Sequence, residues 1–556
     1  MSGKKSKEKN RETVLQKNEI YEAEIIDYTT DGSGICRIKG MAVFVPSAAV
    51  GDKAEIRILK TDKNIAYGKI ERVIVPSEDR IISDCPIFEK CGGCSFRHID
   101  YPSELLFKQK RVTDTLERIG GVERSLVKEI DGAENSDHYR NKAQLPVTLD
   151  KEGKVTVGFF APRSHRVIPL KSCSLQSEIF HEAVSIFLRW ANEFHISSYN
   201  EETHSGILRH LYLRFAEKTQ QLMVCVVANA KELRKEKQLV SMLKDHLPQL
   251  QTVVLNINTQ KTNVITGKEC RTLYGEGYIT DELCGLQFRI SPLSFYQVNR
   301  TQAEKLYTYA AGFADMKQDE TLLDLYCGTG TIGLTMARQV KRLIGVEIIP
   351  QAIEDAKRNA EENGIKNAEF ICADAATAAK QLSDRHITPN CIILDPPRKG
   401  CDSSLIQTIA EMSPDRVVYV SCDPATLARD VRRFGEVGYT VKKAMPVEMF
   451  PRTPHVETVA LLSKLVSHCS TEVEFDLENI PPTKTETKAT YEQIRSYVKA
   501  NTGLNVSTLY ISQVKHKHGI IERENYNTGS GKSSVPTVPP EKEAAIEDAL
   551  RHFQMI

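Results

Sequence analysis

No run of eighteen apolar residues occurs in these 556 residues, and a helix needs about that many to cross a bilayer, so no membrane span is expected. The stretch Met1 to Glu12 is polar and lysine-rich and lacks the apolar core of a secretory leader, which points to a cytoplasmic protein. Net charge is nearly absent: 74 Lys and Arg stand against 73 Asp and Glu, a formal balance of +1. Any grip on nucleic acid must then come from local basic patches, not from an overall field. No internal repeat divides the chain, and its length suits three or four separately packed domains. Hydrophobic residues at 41% and charged ones at 26% fit a soluble globular protein. Cysteine, by contrast, is plentiful. Fourteen of them in a chain without a secretory leader argue for plain buried thiols, metal ligands or a nucleophile in place of disulfides.

From about Glu19 to Val73 five short alternating runs follow one another: Glu22–Asp27, Gly34–Ile38, Ala42–Val45, Lys53–Ile58 and Tyr67–Val73. Turns such as Asp31-Gly-Ser-Gly34 and Gly51-Asp52 separate them, which predicts a small OB-like β-barrel. Such a barrel commonly binds nucleic acid and elsewhere serves as a structural plug. A cysteine cluster, Cys85 to Cys94, precedes a helical pattern over Ser103–Ile119 with Leu105, Leu106, Val112, Leu116 and Ile119 on one face. Longer, interrupted strands from about Tyr139 to Phe288 predict an α+β domain. Regular alternation from Thr321 to about Ser463 predicts an open parallel α/β sheet. A polar linker, Ser470 to Thr487, leads to a last segment, Tyr491 to Ile556, with two short helical patterns around a Gly-rich loop, Asn527 to Pro540.

Thr321-Leu-Leu-Asp-Leu-Tyr-Cys-Gly-Thr-Gly-Thr331 reads as an apolar strand, a Gly-rich turn and the entry to a helix over Ile332–Arg338. Gly328 and Gly330 let the backbone approach a ligand where a side chain would clash. The next strand, Arg342 to Val346, ends in Glu347, a position suited to gripping ribose hydroxyls. A third, Glu369 to Ala373, ends at Asp374, placed to accept from an adenine amino group. The glycine turn alone resembles a dinucleotide site as well. Asp324, three residues before the Cys-Gly step, favours S-adenosylmethionine over NAD.

Strand four, Asn390 to Leu394, runs into Asp395-Pro-Pro-Arg398. A similar Asp-Pro-Pro-aromatic motif serves methylation of amino groups by stacking a ring on the target, so Arg398 in that place disfavours this chemistry. Strand five, Arg416 to Val420, delivers Ser421-Cys422-Asp423-Pro424 at its C-terminal end, where ligands bind in open α/β sheets. A helix starting near Ala425 is expected to lower the thiol pKa through its N-terminal dipole. Methylation at C5 of uracil needs such a thiol. C5 is a poor nucleophile, and thiolate attack at C6 makes it enolate-like, able to take a methyl group from a sulfonium. A base must then remove the C5 proton, and Pro454-His-Val-Glu-Thr458 offers His455 and Glu457. Glu457 opens the apolar run Val459 to Leu462, so burial is expected to raise its pKa and suit it to be the base.

Ser291-Pro-Leu-Ser-Phe-Tyr-Gln-Val-Asn299, Asp324-Leu-Tyr-Cys-Gly-Thr-Gly330, Asp395-Pro-Pro-Arg398, Ser421-Cys-Asp-Pro424 and His455-Val-Glu-Thr458 stand in the order of motifs of the RNA uracil-5-methyltransferase family. The chain resembles that family over roughly residues 15 to 465. The resemblance implies a class I Rossmann-like methyltransferase domain, an N-terminal barrel that looks like a TRAM domain, and an α+β central domain. It implies cofactor contacts at Gln297, Tyr326, Glu347 and Asp395, the nucleophile at Cys422 and the base at Glu457. Phe295 looks like the ring that meets a flipped uracil. Cys85-x5-Cys91-x2-Cys94 with Cys173 looks like the cluster ligands of the family's iron–sulfur branch. Spacing alone suits structural zinc as well as [4Fe–4S], and the family moves the reading to iron–sulfur. Methyl transfer moves no net electrons, so the cluster is expected to hold the central domain and the RNA site together.

Family branches with both TRAM domain and cluster mostly modify large-subunit ribosomal RNA, so 23S rRNA is the implied substrate, with tRNA the alternative. Phosphates would be met by His138-Tyr-Arg-Asn-Lys142, by Arg163, His165 and Arg166, and by Arg429, Arg432 and Arg433. Two other classes compete: a non-catalytic RNA-binding assembly factor and an amino-methyltransferase. Intact Cys422 and Glu457 argue against the first, and the second needs no thiol. The domain plan is therefore 15–74, 75–288, 289–465 and a C-terminal extension, 488–556, which departs from the family. Its helical face of Tyr491, Ile494, Tyr497 and Val498, with Leu509–Val514 before Lys515-His-Lys-His-Gly519, suits an RNA or protein contact module or a packing appendage.

Overall fold

Turn residues decide where the first strands begin and end. The computed structural model describes residues 15–170, 172–465, 489–518, 520, 538–553 and 555–556, and the chain forms two compact units, Met1–Val466 and Ser467–Ile556. The first sheet has strands β1 (Ile20–Glu24), β2 (Asp27–Tyr28), β3 (Gly34–Ile38), β4 (Met41–Val45), β5 (Lys53–Thr61) and β6 (Ile65–Val75), ordered β1-β5-β6-β4-β3-β2. Cys36, Val43, Val45, Ala54, Ile56 and Ile58 fill its core. The run Glu22–Asp27, expected as one strand, is broken. Ile25 donates to Asp52 O and Ile26 to Ile35 O, so the chain leaves β5 and joins β3 at that point.

Helix α1 (Tyr101–Arg118) is capped by Asp100, which accepts from Ser103 N, with Pro102 in the first turn. Its face differs from expectation. Leu106 is 69% exposed and Ile119 43%, while Glu104, Lys108, Val112, Thr113 and Leu116 are buried. The buried stripe tolerates charge because Lys108 Nζ meets Glu104 at 2.7 Å and Glu448 at 2.5 Å. Val112 and Leu116 join the core of the last sheet of this unit.

The second sheet has β7 (Lys142–Leu149), β8 (Val155–Phe160), β9 (Val167–Pro169), β10 (Leu208–Ala216), β11 (Gln221–Ala228), β12 (Leu250–Ile257) and β13 (Glu269–Tyr274), ordered β13-β12-β11-β10-β7-β8-β9. Phe187 and Trp190 of α2 (Ile179–Glu193) and Leu239 and Leu243 of α3 (Glu236–His246) bury its apolar residues. A hairpin follows, β14 (Ile279–Leu283) and β15 (Leu286–Ile290). Its two turn residues, Cys284 and Gly285, have φ of 52° and 73°, the left-handed pair that matches strand twist. Helix α4 (Arg300–Ala314) comes next.

The third sheet alternates with helices: β16 (Thr321–Leu325), α5 (Thr331–Met336), β17 (Arg342–Glu347), α6 (Pro350–Glu362), β18 (Ala368–Cys372), α7 (Ala375–Asp384), β19 (Cys391–Leu394), α8 (Ser403–Met412), β20 (Arg416–Ser421), α9 (Pro424–Glu436), β21 (Tyr439–Val447) and β22 (Glu457–Lys464). The order is β18-β17-β16-β19-β20-β22-β21. Strands β16 to β20 pair in parallel, and β22 is antiparallel to both β20 and β21. From β16 the chain moves outward to β18 and returns to β19, so the order switches between β16 and β19, where open α/β sheets bind ligands.

In the second unit α10 (Tyr491–Thr502), α11 (Thr508–Lys517) and α12 (Pro540–His552) share a core of Ile494, Val498, Ile511, Val514, Ile546 and Leu550. The sequence leads to an expectation of two helices here, and α12 is the addition. Its inner stripe, Ala545, Ile546, Ala549 and Leu550, is half alanine and gives a weak apolar signal. The tail Met1–Glu12, the linker Ser470–Thr487 and most of the loop Asn527–Pro540 lie outside the described residues. Among the described residues no helix is long and apolar enough to cross a membrane.

Candidate active site

Every strand of the third sheet that runs parallel ends on one edge, and the implicated residues stand there or one step beyond. Tyr326 follows β16, Glu347 ends β17, Asp395 follows β19 and Cys422 follows β20. The antiparallel β22 begins at the same edge: Ser421 pairs with Thr458, so Cys422 and Glu457 are the next residues in register. Two chain segments 35 positions apart are thus aligned by one ladder.

At the β16 end the backbone turns sharply. Tyr326 has φ of 71° and Gly330 of 83°, and a Cβ on Gly330 would stand 2.9 Å from Leu334 Cδ1, so the turn needs glycine. Gly328, Gly330 and Gly333 have G-x-G-x-x-G spacing, so the glycines do not separate this site from a dinucleotide site. The carboxylates around the turn are more informative. Glu347 accepts from Gly328 N at 3.2 Å and Ile349 N at 3.0 Å. Asp324 is buried, and Oδ2 accepts from Gly333 N at 2.9 Å, while Oδ1 has no partner. Burial, with Asp395 and Glu347 adding to it, pushes Asp324 up to about 8. A buried lone acceptor beside a glycine cradle suits a cationic or N–H-bearing ligand group. Asp374 is exposed, and its Oδ1 accepts from Ala376 N and Thr377 N as the cap of α7, so one of its oxygens is already engaged.

Phe295 and Gln297 lie between β15 and α4. Phe295 is 62% exposed, although the loop around it is pinned. Ser294 Oγ donates to Asp355 at 2.9 Å, Arg214 donates to Ser294 O, and Asn141 Nδ2 donates to Gln297 O at 2.9 Å. Such a fixed loop presents an aromatic face to solvent without freedom to fold it away. Gln297 is buried.

Cys422 is half-buried. The helix that follows is expected to lower its pKa, and the surroundings do the opposite. Burial first, then the charges of Glu457 and Asp395, push the thiol up to about 11, against a smaller pull from Arg398. Glu457 is buried, and burial and Asp395 raise it to about 8, in the direction expected. Asp395 is raised to about 7 by burial. His455 goes the other way: burial and then Arg398, Arg111, Lys108 and Arg140 lower it to about 4. Its ring is neutral near pH 7 and a poor proton acceptor, which leaves Glu457 as the better base of the two.

Cys85, Cys91, Cys94 and Cys173 line one cavity of about 140 Å³ with Phe88, Phe159 and Leu170. That is roughly ten times the space one water needs. Burial raises Cys91, Cys94 and Cys173, and neighbouring cysteines raise them further, Cys94 to about 12. Thiols so placed become thiolates only when positive charge enters the cavity. Among the described residues no group of three or more His, Cys, Asp or Glu, these four cysteines included, is placed to hold a metal ion.

The expected phosphate contacts divide. Arg429 donates to Lys399 O and to Asp430, and Arg433 to Cys401 O, so both hold the loop after Asp395. Arg432, Arg163 and His165 are exposed. Lys142, half-buried, is lowered to about 8 by burial, Arg214 and Arg140. Residues the sequence did not single out are Lys108, Arg111, Glu448 and the buried Asp430, which accepts from Tyr419 OH at 2.8 Å and Cys401 N at 2.8 Å. An acid inside the run Arg429–Arg433 was the available signal for the last of these.

Residues 101–465 match the family model for tRNA (uracil-5-)-methyltransferase, and 15–70 match the TRAM domain. An "Uncharacterized RNA methyltransferase" of Clostridium tetani is 43% identical over 82% of this chain and 98% of its own. Another, of Halalkalibacterium halodurans, is 42% identical over 81% and 98%. The crystal structure of the Pyrococcus abyssi tRNA (uracil-54, C5)-methyltransferase with S-adenosyl-L-homocysteine aligns with a TM-score of 0.64 at 28% identity, covering 80% of this chain and all of that one. This chain belongs to the tRNA (uracil-5-)-methyltransferase family, the S-adenosylmethionine-dependent RNA methyltransferases, and carries a TRAM domain at its front.

Proposed function

We propose that the enzyme methylates C5 of a uracil in 23S rRNA through a covalent adduct of Cys422 at C6, with Glu457 as the base. One observation carries this reading. The ladder between β20 and β22 sets Cys422 beside Glu457, so one residue can form the bond at C6 while its neighbour faces the proton at C5. S-adenosylmethionine supplies the electrophilic methyl group. Gln297, Tyr326, Glu347, Asp374 and Asp395 would hold the donor, and the buried Asp324 supports the glycine turn beside them through Gly333 N.

At rest Cys422 is a thiol, because its pKa is near 11. Its proton passes to solvent as the sulfur attacks C6, the electron pair of the C5–C6 double bond moves into an enolate, and Arg398 offsets the anionic charge. The new C6–S bond leaves C5 electron-rich, and C5 takes the methyl group. Glu457, whose pKa near 8 makes it a stronger base than a solvated carboxylate, removes the C5 proton. The C5–C6 double bond reforms, the C6–S bond breaks and Cys422 leaves with its electron pair. Phe295 stacks on the extruded base and offsets part of the lost base stacking.

Cys85, Cys91, Cys94 and Cys173 would hold a [4Fe–4S] cluster that fastens the central region beside the RNA site, in a cytoplasmic enzyme. The residue plan 15–74, 75–288, 289–465 and 488–556 goes with this reading. The test uses anaerobically prepared enzyme, S-adenosylmethionine and 5-fluorouridine-substituted 23S rRNA and tRNA transcripts on denaturing gels. Fluorine at C5 blocks proton removal, so a stable adduct on the rRNA, absent in Cys422→Ala, is the expected result. An adduct on tRNA alone moves the substrate to tRNA, as in the Pyrococcus abyssi tRNA (uracil-54, C5)-methyltransferase. No adduct on either, with the donor shown to bind, removes the covalent mechanism.

A further inference from the structure

The segment between β21 and β22 makes no regular structure, yet the carbonyls of Met449, Phe450, Pro451, Arg452 and Pro454 all accept hydrogen bonds from outside it. Lys108 Nζ donates to Phe450 O at 3.3 Å, Tyr139 OH to Pro451 O at 3.0 Å, and Ser95 N to Arg452 O at 2.9 Å. Arg452 N in turn donates to Glu104 Oε1 at 2.7 Å. The last of these tethers before Glu457 is Arg111 of α1, whose Nη1 donates to Pro454 O at 2.6 Å. The other arm of the same guanidinium lies 3.7 Å from the carboxylate of Asp423, the residue after Cys422. Arg111 is 12% exposed, so water competes little for it.

The two ends of this bridge are not held equally. The Cys422 turn is fixed by its own bonds: Asp423 Oδ1 caps α9 through Thr426 N at 2.8 Å, and Ser421 Oγ bonds both Asp423 N and Asp423 O. Beyond Arg111, His455 N donates to Thr453 Oγ1 at 3.4 Å and His455 meets Phe450 edge-on, while Glu457, the first residue of β22, is held by its pairing with Val447.

We propose that Arg111 is a positioning residue that ties the chain entering Glu457 to the Cys422 turn and, together with the β20–β22 ladder, sets the separation of base and nucleophile. This rests on the roles given to Cys422 and Glu457 above. When Arg111 is lost, the nucleophile keeps its place and the base drifts, so attack and methyl transfer proceed while removal of the C5 proton lags. Ordinary uracil RNA then remains attached to the enzyme.

The experiment compares wild type, Arg111→Met and Arg111→Lys in the full chain, with the transcript that traps wild type when fluorinated. Misplacement of a catalytic group by about 1 Å costs about 100-fold, so Arg111→Met should lose about 10- to 100-fold in kcat, with KM for RNA and donor within about twofold. On unfluorinated RNA it should accumulate a denaturation-resistant, methylated adduct that wild type does not. Arg111→Lys keeps the charge but cannot reach both partners at once, and should fall between the two. If Arg111→Met does not fold, Arg111→Lys decides by the same adduct. Turnover within twofold of wild type, or a loss carried by RNA KM without adduct, overturns the proposal. A wild-type chain that traps no fluorinated RNA instead overturns the covalent reading itself.

Discussion

Glu448, under α1, and Glu457, at the start of β22, are both buried carboxylates of one short stretch, yet only the first touches a cation. Lys108 Nζ lies 2.5 Å from Glu448 and 2.7 Å from Glu104, with all three side chains fully buried. Burial raises Glu448, and Lys108 opposes that rise directly. Asp52 is paired too but shifts the other way: fully buried, it is held by Arg80 and lies below the usual carboxylate range, since its hydrogen bonds to Arg80, Ser77 and Ala49 outweigh burial. At the sheet edge, Asp324, Asp395 and Glu457 have no ion pair among the described residues, and they rise to about 8, 7 and 8. Paired charges build the frame. Unpaired ones, which cost stability, stand at the sheet edge where the proposed reading puts proton transfer and donor binding.

The largest effect expected is on the paired side. Lys108→Met leaves Glu104 and Glu448 buried without their cation, which costs about 3–5 kcal/mol. Urea unfolding should show that loss, with activity falling alongside it. A cost below about 1 kcal/mol would mean the triad does not hold the Phe450–Pro454 segment.

A smaller effect of opposite sign is expected at the edge. Glu457 has a raised folded pKa, so its favourable contribution is complete below about 4.5 and is lost as pH rises through about 8. A tenfold difference in proton affinity between folded and unfolded chain corresponds to about 1.4 kcal/mol. Wild type should therefore lose stability between pH 5 and pH 8.5 relative to Glu457→Gln. The two melting temperatures should agree within about 1 °C at pH 5, and the variant should be higher by several degrees at pH 8.5. Equal melting at both pH values would contradict the unpaired state of this carboxylate.

The edge is the legible part of the sequence. Strand ends can be read from apolar runs bounded by Gly, Asp and Pro, and Asp395, Cys422 and Glu457 each sit at one. The four residues of the cysteine motif line one cavity, while the metal ligation expected of them has no matching group among the described residues. The frame is harder to read. Lys108 and Glu448 are 340 positions apart, and a Glu-x3-Lys spacing on a helix reads as a solvated pair until its partner is seen. For that reason the pattern of α1 points to the wrong inner face, with Leu106 and Ile119 buried in place of Glu104 and Lys108. The sign of the Cys422 shift fails for a related reason: the helix after it is local in sequence, whereas Glu457 and Asp395, which raise the thiol, arrive from other strands. Arg429 and Arg433 read as phosphate contacts because Asp430 among them looks like an interruption instead of their partner.

The most direct test of the division between nucleophile and base is a single-turnover reaction of Glu457→Gln with unfluorinated RNA and S-adenosylmethionine. Glutamine cannot take the C5 proton, so the account predicts a methylated RNA–protein adduct that survives denaturation, accumulates stoichiometrically and disappears when Cys422→Ala is added. Free methylated RNA released at the wild-type rate, or no adduct while the donor remains bound, would contradict it.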